Sequence, residues 1–235
     1  MSRLAMTLEK WPNDRVALDI EVGRVYNLGF TIRDAEKMQR HLEECYAVGV
    51  PELKVDKPPL IFPMSSWATI TDSDVSVQRA RTSGEVEIVT ISLAGELYVG
   101  VGSDHTDREL ETIDIPWSKQ VAPNVLAPTL WRWADVEGHW DDVMLESYVS
   151  DGGEEILYQR ASVSEFWTPV EMVTSLVGRV PETTAAQILF SGTVVSEGEQ
   201  LNFGRKWRIA MIDPVFNRKI EHSYQIVVLS EEVKD

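Results

Sequence analysis

Residues 84–93 form a run rich in β-branched side chains, a Gly95-Glu96 turn follows, and residues 97–101 resume the same apolar character. Two such runs across a glycine turn predict a β-hairpin, so the chain must be built on sheet. More strands follow. Residues 144–149 and 155–160 read as a second hairpin across Asp151-Gly152-Gly153, and residues 188–190, 207–212 and 224–229 read as late strands. Helical spacing is scarcer. Residues 33–46 carry Ala35, Met38, Leu42, Cys45 and Tyr46 at helical intervals, with Asp34 as a cap and Gly49 and Pro51 as terminators. Residues 169–177 predict one short helix, and Lys57-Pro58-Pro59 an extended entry into Leu60-Ile61-Phe62. The expected class is α+β and mostly β, in one domain spanning 1–235, with a short helical N-terminal part (1–58) ahead of a β-rich core (59–235).

Charge narrows the partners. Twenty-two basic residues face 38 acidic ones, a formal net charge of -16. That field repels a phosphate backbone, which argues against nucleic acid. An anionic small molecule would need a local positive site. Cys45 is the single cysteine, so no intrachain disulfide forms. No apolar run approaches the ~18 residues of a membrane span, and the first residues, with Glu9, Lys10, Asn13 and Asp14, lack a signal-peptide core. The expectation is a cytoplasmic protein.

Within the first strand of the hairpin stands Glu85-Val86-Glu87. Side chains at i and i+2 share a strand face, with Cα atoms about 6.6 Å apart. Paired carboxylates raise each other's pKa, and a hard divalent cation removes that conflict; oxygen ligands suit Mg2+, Mn2+ or Ca2+. A solvated strand face is the competing reading. Asp104 tips the balance, because it sits where the returning strand ends and can be brought beside the glutamates. Two further groups are candidates. His41 and Glu44 lie three apart on the predicted helix, where a carboxylate can orient an imidazole as a base. Lys119, between Trp117-Ser118 and Val121-Ala122-Pro123, is either a partly buried cation in need of an anionic partner or a surface lysine.

In order along the chain these pieces resemble the fumarylacetoacetate hydrolase superfamily: Arg33, His41 with Glu44, Pro59 with Phe62, Glu85 with Glu87, Asp104 with Arg108, Lys119, and Gly192-Thr193. The match runs from about residue 28 to the C-terminus and looks like a compact branch. It departs from the family pattern at Glu111, where glutamine is usual, in the shorter intervals from Glu87 to Asp104 and on to Lys119, and in the longer segment between Arg33 and His41.

The resemblance implies a mixed β-sheet roll with a short helical lid and an Mg2+ or Mn2+ ion (Ca2+ as a further option) on Glu85, Glu87 and Asp104. It implies a homodimer acting on a small anionic oxo acid. The implied reaction is metal-dependent hydrolysis of a C–C bond in a diketo acid of the acylpyruvate kind, through a metal-held enolate. Decarboxylation, hydration or isomerisation of a 2-oxo acid on the same site is the alternative, as is a non-catalytic metal- or ligand-binding protein of this fold. In that scheme His41, oriented by Glu44, is the base, Lys119 and Thr193 of the Gly192-Thr193 pair bind the substrate, and Arg108 positions either the Asp104 loop or the substrate. Trp131, Trp133 and Trp140 are expected in the core, Asp213-Pro214 in a turn, and His139 and His222 receive no role.

Overall fold

Long antiparallel pairs dominate the chain from its first residues onward. The computed structural model describes residues 2–12, 14–47, 57–193 and 201–232; within them the side chains of Arg40, His41, Glu44, Cys45 and Ala47 lie outside the description. Along the chain come β1 (Arg3–Lys10), β2 (Asp14–Gly29), α1 (Ala35–Ala47), β3 (Leu60–Met64), β4 (Thr69–Ile70), β5 (Asp74–Val77), β6 (Thr82–Ser83), β7 (Val86–Leu93), β8 (Glu96–Asp104) and β9 (Thr106–Asp107). Then come α2 (Arg108–Glu111), α3 (Ile115–Val121), β10 (Asn124–Leu126), β11 (Thr129–Arg132) and α4 (Trp133–Val136). The remainder is β12 (Met144–Ser150), β13 (Ile156–Ser162), α5 (Pro169–Ser175), β14 (Ala186–Phe190), β15 (Lys206–Asp213) and β16 (Arg218–Val228).

The expectation of a helical N-terminal part is corrected. Residues 3–29 are a hairpin in which Arg3 faces Glu21 and Lys10 faces Asp14. Leu4, Met6 and Leu8 alternate with more exposed neighbours, a period of two that fits a strand and not a helix. Arg3 with Asp19 and Arg15 with Glu9 line the outer side as exposed ion pairs. Among the described residues of this part only α1 is helical; the Asp34 carboxylate caps it, accepting from the Glu36 and Lys37 N–H groups at 2.8 and 3.0 Å.

Six strands close on themselves in the order β11-β1-β2-β14-β7-β8, and β8 returns to β11 through Val99 opposite Trp131 and Tyr98 opposite Arg132. Alternate residues of these strands fill the interior: Leu4, Met6 and Leu8 of β1, Ile20 and Val22 of β2, Val89 and Ile91 of β7, and Ile188 and Phe190 of β14. From β8 come glycines. A Cβ on Gly102 would lie 2.5 Å from the Phe190 ring and 2.7 Å from Val89, so the missing side chain is the space Phe190 occupies.

A second sheet, β13-β12-β15-β16-β5, covers the outer side of β7 and β8. Val86, Ile88, Val99 and Val101 pack there with Leu145, Ile209 and Met211. Strands β7 and β8 are therefore buried on both faces, which explains why apolar residues occupy both parities along them. Trp131 is fully buried, and Trp133 meets Trp140 edge-on at 5.1 Å. No helix among the described residues is long and apolar enough to cross a membrane.

Candidate metal centre

Strand alternation places the acids. Glu85 and Glu87 keep the parity of Val89 and Ile91, and Asp104 keeps that of Gly100 and Gly102, so all three belong to the inward side of the barrel strands. Val86 pairs with Ser103, and the Asp104 N–H donates to the Glu85 carbonyl at 3.1 Å, which sets Asp104 opposite Glu85 where the two strands end. Strand β8 continues as far as Asp104, and residues 103–106 are wholly buried. One carboxylate oxygen from each of Glu85, Glu87 and Asp104 lies within 4.8 Å of the others. Glu87 is 1% exposed and Asp104 0%.

Two oxygens of these carboxylates, Glu87 Oε2 and Asp104 Oδ1, are buried with no hydrogen-bond partner. Such atoms are costly unless something binds them. Burial first, and then repulsion from Asp104, raise the Glu87 pKa well above the ordinary range, against the Lys119 ammonium and one N–H bond from the Gly192 backbone. Burial likewise raises Asp104, opposed by Lys119.

Two cations answer the acids. Asp107 caps α2, accepting from the Glu109 and Leu110 N–H groups at 3.1 and 3.0 Å, and Asp114 caps α3 through the Trp117 N–H at 2.9 Å. This pair of short capped helices carries Lys119 back over the strand ends. Its ammonium contacts Asp104 Oδ2 directly and lies 3.6 Å from Glu85 Oε2 and 6.0 Å from the Phe62 ring centre. Burial disfavours its charge, but Asp104 and Glu85 override that and raise its pKa.

Arg108 is fully engaged. It reaches Glu85 Oε1 at 2.8 Å and Glu111 Oε2 at 2.8 Å, and its Nε donates to Ser83 Oγ at 2.6 Å. Glu111, which departs from the expected glutamine, is thus the second carboxylate partner of Arg108. Four carboxylates (Glu85, Glu87, Asp104, Glu111) share two cations, and the deficit of two charges equals that of one divalent ion. An all-oxygen donor set of this kind fits a hard cation such as Mg2+ or Mn2+.

Not every expected residue joins the cluster. Gly192 does, with φ at +87 and the site of a Cβ only 2.7 Å from the Leu28 carbonyl, a backbone position open to glycine alone. The Thr193 hydroxyl accepts from Gln159 Nε2 at 2.8 Å. Arg33 pairs with Asp141 and Glu171 at 3.5 and 3.8 Å. The side chains of His41 and Glu44 lie outside the described residues.

Other residues were missed. Asn27 and Asn124 exchange amide hydrogen bonds of 3.0 and 2.6 Å, and Asn124 stands opposite Asp104 in the sheet. Gln159 accepts from the Val86 N–H at 2.9 Å. His105 is wholly buried between Thr82 Oγ1 at 2.8 Å and Tyr224 Oη at 3.2 Å; burial, then Arg108, lower its pKa to about 3.

The family model described as "Protein of unknown function (DUF2848)" matches residues 28–224. The chain matches no curated protein sequence. Among solved structures it is similar to 2-keto-3-deoxyarabinonate dehydratase, with 15% identity and a TM-score of 0.65 over 92% of this chain and 78% of that one. It is similar to 2-keto-3-deoxy-D-arabinonate dehydratase complexed with magnesium and 2,5-dioxopentanoate, with 14% identity and a TM-score of 0.61 over 87% and 73% of the two chains. An Escherichia coli protein provisionally described as an isomerase aligns at 13% identity and a TM-score of 0.60 over 95% of this chain and 100% of its own. At these identities the fold is what is shared: mostly β, with the barrel-like sheet of the fumarylacetoacetate hydrolase-like fold.

Proposed function

We propose that this chain, which belongs to the DUF2848 family of proteins of unknown function, is a divalent-metal-dependent enzyme acting on a small 2-oxo acid. The observation that carries the reading is the buried cluster of Glu85, Glu87 and Asp104, which together with Glu111, Arg108 and Lys119 is two charges short of neutrality and has two buried oxygens left without hydrogen bonds. The neighbour complexed with magnesium and an oxo-acid product shows that the fold accepts such a pair of ligands.

Glu85, Glu87 and Asp104 would hold Mg2+ or Mn2+. When bound, the ion would polarise the 2-oxo group as a Lewis acid. The chain supplies the rest. Lys119 is the cation available to a substrate carboxylate or to charge developing on oxygen, because Arg108 is committed to Glu85 and Glu111. Arg108 therefore fixes a ligand and does not bind substrate. Gly192 holds Glu87 through its N–H, and Thr193, next in sequence, is the proposed substrate contact.

The finer reading is C–C hydrolysis of a diketo acid, with His41 and Glu44 activating water. Elimination or addition of water at a 2-oxo acid is the second reading, favoured by the dehydratase neighbours. Both use the site as a homodimer, which light scattering tests.

Calorimetric titration with Mn2+ and turnover on a panel of acylpyruvates and 3-deoxy-2-oxo sugar acids decide the matter. Tight binding with turnover of either class supports the proposal, and the class that turns over selects the reaction. Absence of Mn2+ and Mg2+ binding overturns it. For hydrolysis, His41→Ala lowers kcat about 10²–10⁴-fold and leaves metal affinity unchanged. A fully active His41→Ala enzyme removes the dyad.

A further inference from the structure

Glu85 stands one residue outside β7, where the regular ladder no longer holds its backbone. Two neighbours on β8 hold it instead. Its carbonyl accepts from the Asp104 N–H at 3.1 Å, and its N–H donates to the Ser103 hydroxyl oxygen, also at 3.1 Å. The same Ser103 oxygen accepts the Tyr224 O–H at 2.9 Å. Tyr224 has one proton and gives it to Ser103, so its oxygen must accept from His105 Nδ1, 3.2 Å away. That assigns the histidine tautomer and leaves Nε2 to accept from the Thr82 hydroxyl at 2.8 Å. The chain of bonds runs in one direction, from Thr82 through His105 and Tyr224 to Ser103, and Ser103 fixes Glu85.

Packing keeps this chain in place. Thr82, Ser103, His105 and Tyr224 are all buried, and His105 meets Trp207 and Tyr224 edge-on at 5.9 and 5.7 Å. Gly84 permits the approach. A Cβ there would lie 2.5 Å from the Tyr224 oxygen, 3.0 Å from Ser103 Oγ and 3.0 Å from Trp207. Tyr224 belongs to β16 of the covering sheet, so the bonds tie that sheet to the backbone of a candidate ligand in the barrel. Tyr224 and His105 make no bond to the Glu85, Glu87 or Asp104 carboxylates among those described.

We propose that Tyr224 and His105 are positioning residues for Glu85, acting through the Ser103 hydroxyl, a role that rests on the metal-site reading above. A ligand oxygen must stand within about 0.2 Å of its proper distance from an ion. A backbone N–H released from Ser103 lets the Glu85 side chain drift by more than that. Loss of an outer partner of a metal ligand characteristically weakens metal affinity about 10–100-fold.

The test is Mn2+ affinity, by calorimetry and by the electron paramagnetic resonance line shape of bound Mn2+, in the full chain. The variants are Tyr224→Phe, Ser103→Ala and, as a control, Tyr148→Phe, whose hydroxyl bonds Glu146 at 2.7 Å outside the relay. Tyr224→Phe and Ser103→Ala should each weaken Mn2+ about 10–100-fold and broaden its spectrum, with Tyr148→Phe unchanged. If Tyr224→Phe does not fold, Ser103→Ala carries the test. Lowered melting temperatures with unchanged Mn2+ affinity would show a merely structural network and overturn the proposal while the metal site stands. A wild-type protein that takes up no Mn2+ overturns the metal-site reading itself, and the positioning role with it.

Discussion

Asp213 and the Glu87–Asp104 pair are all wholly buried acids, yet their surroundings differ in kind. Asp213 ends β15 and is saturated. Its Oδ1 accepts from the Val215 and Phe216 N–H groups at 3.1 Å each and faces His139 Nε2 at 3.1 Å, while Oδ2 accepts from Arg218 Nε at 3.0 Å. The outer nitrogens of Arg218 lack hydrogen bonds, but its guanidinium lies 4.3 Å from the Trp131 ring centre and 5.3 Å from that of Phe216, where a cation is attracted by the π face. Burial would raise the Asp213 pKa, but His139, the Phe216 N–H and Arg218 together hold it below the ordinary value. At Glu87 burial and like charge act in the same direction, and the pKa is raised. A buried acid with all its bonds made holds the fold. Buried acids that repel one another and keep open lone pairs cost stability, and that cost is recovered only when a cation binds.

The largest expected effect is at Asp104. Asp104→Ala abolishes Mn2+ binding and turnover together, while circular dichroism shows the fold retained. A variant that still binds Mn2+ as the wild type does would erase the distinction between the two clusters. Next comes Asp213→Ala, which strands Arg218 without its carboxylate and costs roughly 3–5 kcal/mol by urea unfolding; Mn2+ affinity of the folded protein stays the same.

Glu87→Gln sharpens the comparison because its sign is opposite. It removes a repelling buried charge, so the metal-free protein gains stability on the order of 1 kcal/mol even as Mn2+ affinity falls. A loss of stability in the metal-free variant would mean that Glu87 is held as Asp213 is. The smallest effect is in acid. The folded pKa of Asp213 lies below the ordinary aspartate value, so its contribution is fully present above that ordinary value and is lost as pH falls through the lower folded one. The stability difference between wild type and Asp213→Asn, followed by urea unfolding from pH 6 to 2.5, should shrink only below about pH 4. A difference that grows there would contradict the assignment.

Much of the sheet was legible because its signals are local. The β7–β8 hairpin is written in β-branched runs around Ala94-Gly95, and the β12–β13 hairpin in the turn after Ser150. The helix α5 is announced by Thr168 and Glu171, whose reciprocal capping bonds form as the spacing requires. The N-terminal hairpin is just as local, in the alternation of Leu4, Met6 and Leu8. His139 shows the opposite case. It has no metal-ligand spacing, and its partner Asp213 is 74 residues away.

For the candidate site the sequence determined the donors and their face. The period of a strand puts Glu85 and Glu87 on one side, and the length of the hairpin returns Asp104 beside them. Only the tertiary structure decided that this side is the interior, because the return of β8 to β11 closes the barrel and excludes water from Glu87. It also decided the charge balance. Lys119 arrives by two capped helices, and Arg108 is consumed by Glu85 and Glu111. Tyr224 comes from 121 residues beyond Ser103 on the other sheet. The physical reason is range. Periodicity and capping are fixed by neighbours a few residues apart, whereas desolvation and ion pairing depend on what packs against a side chain, and that is settled when distant strands meet.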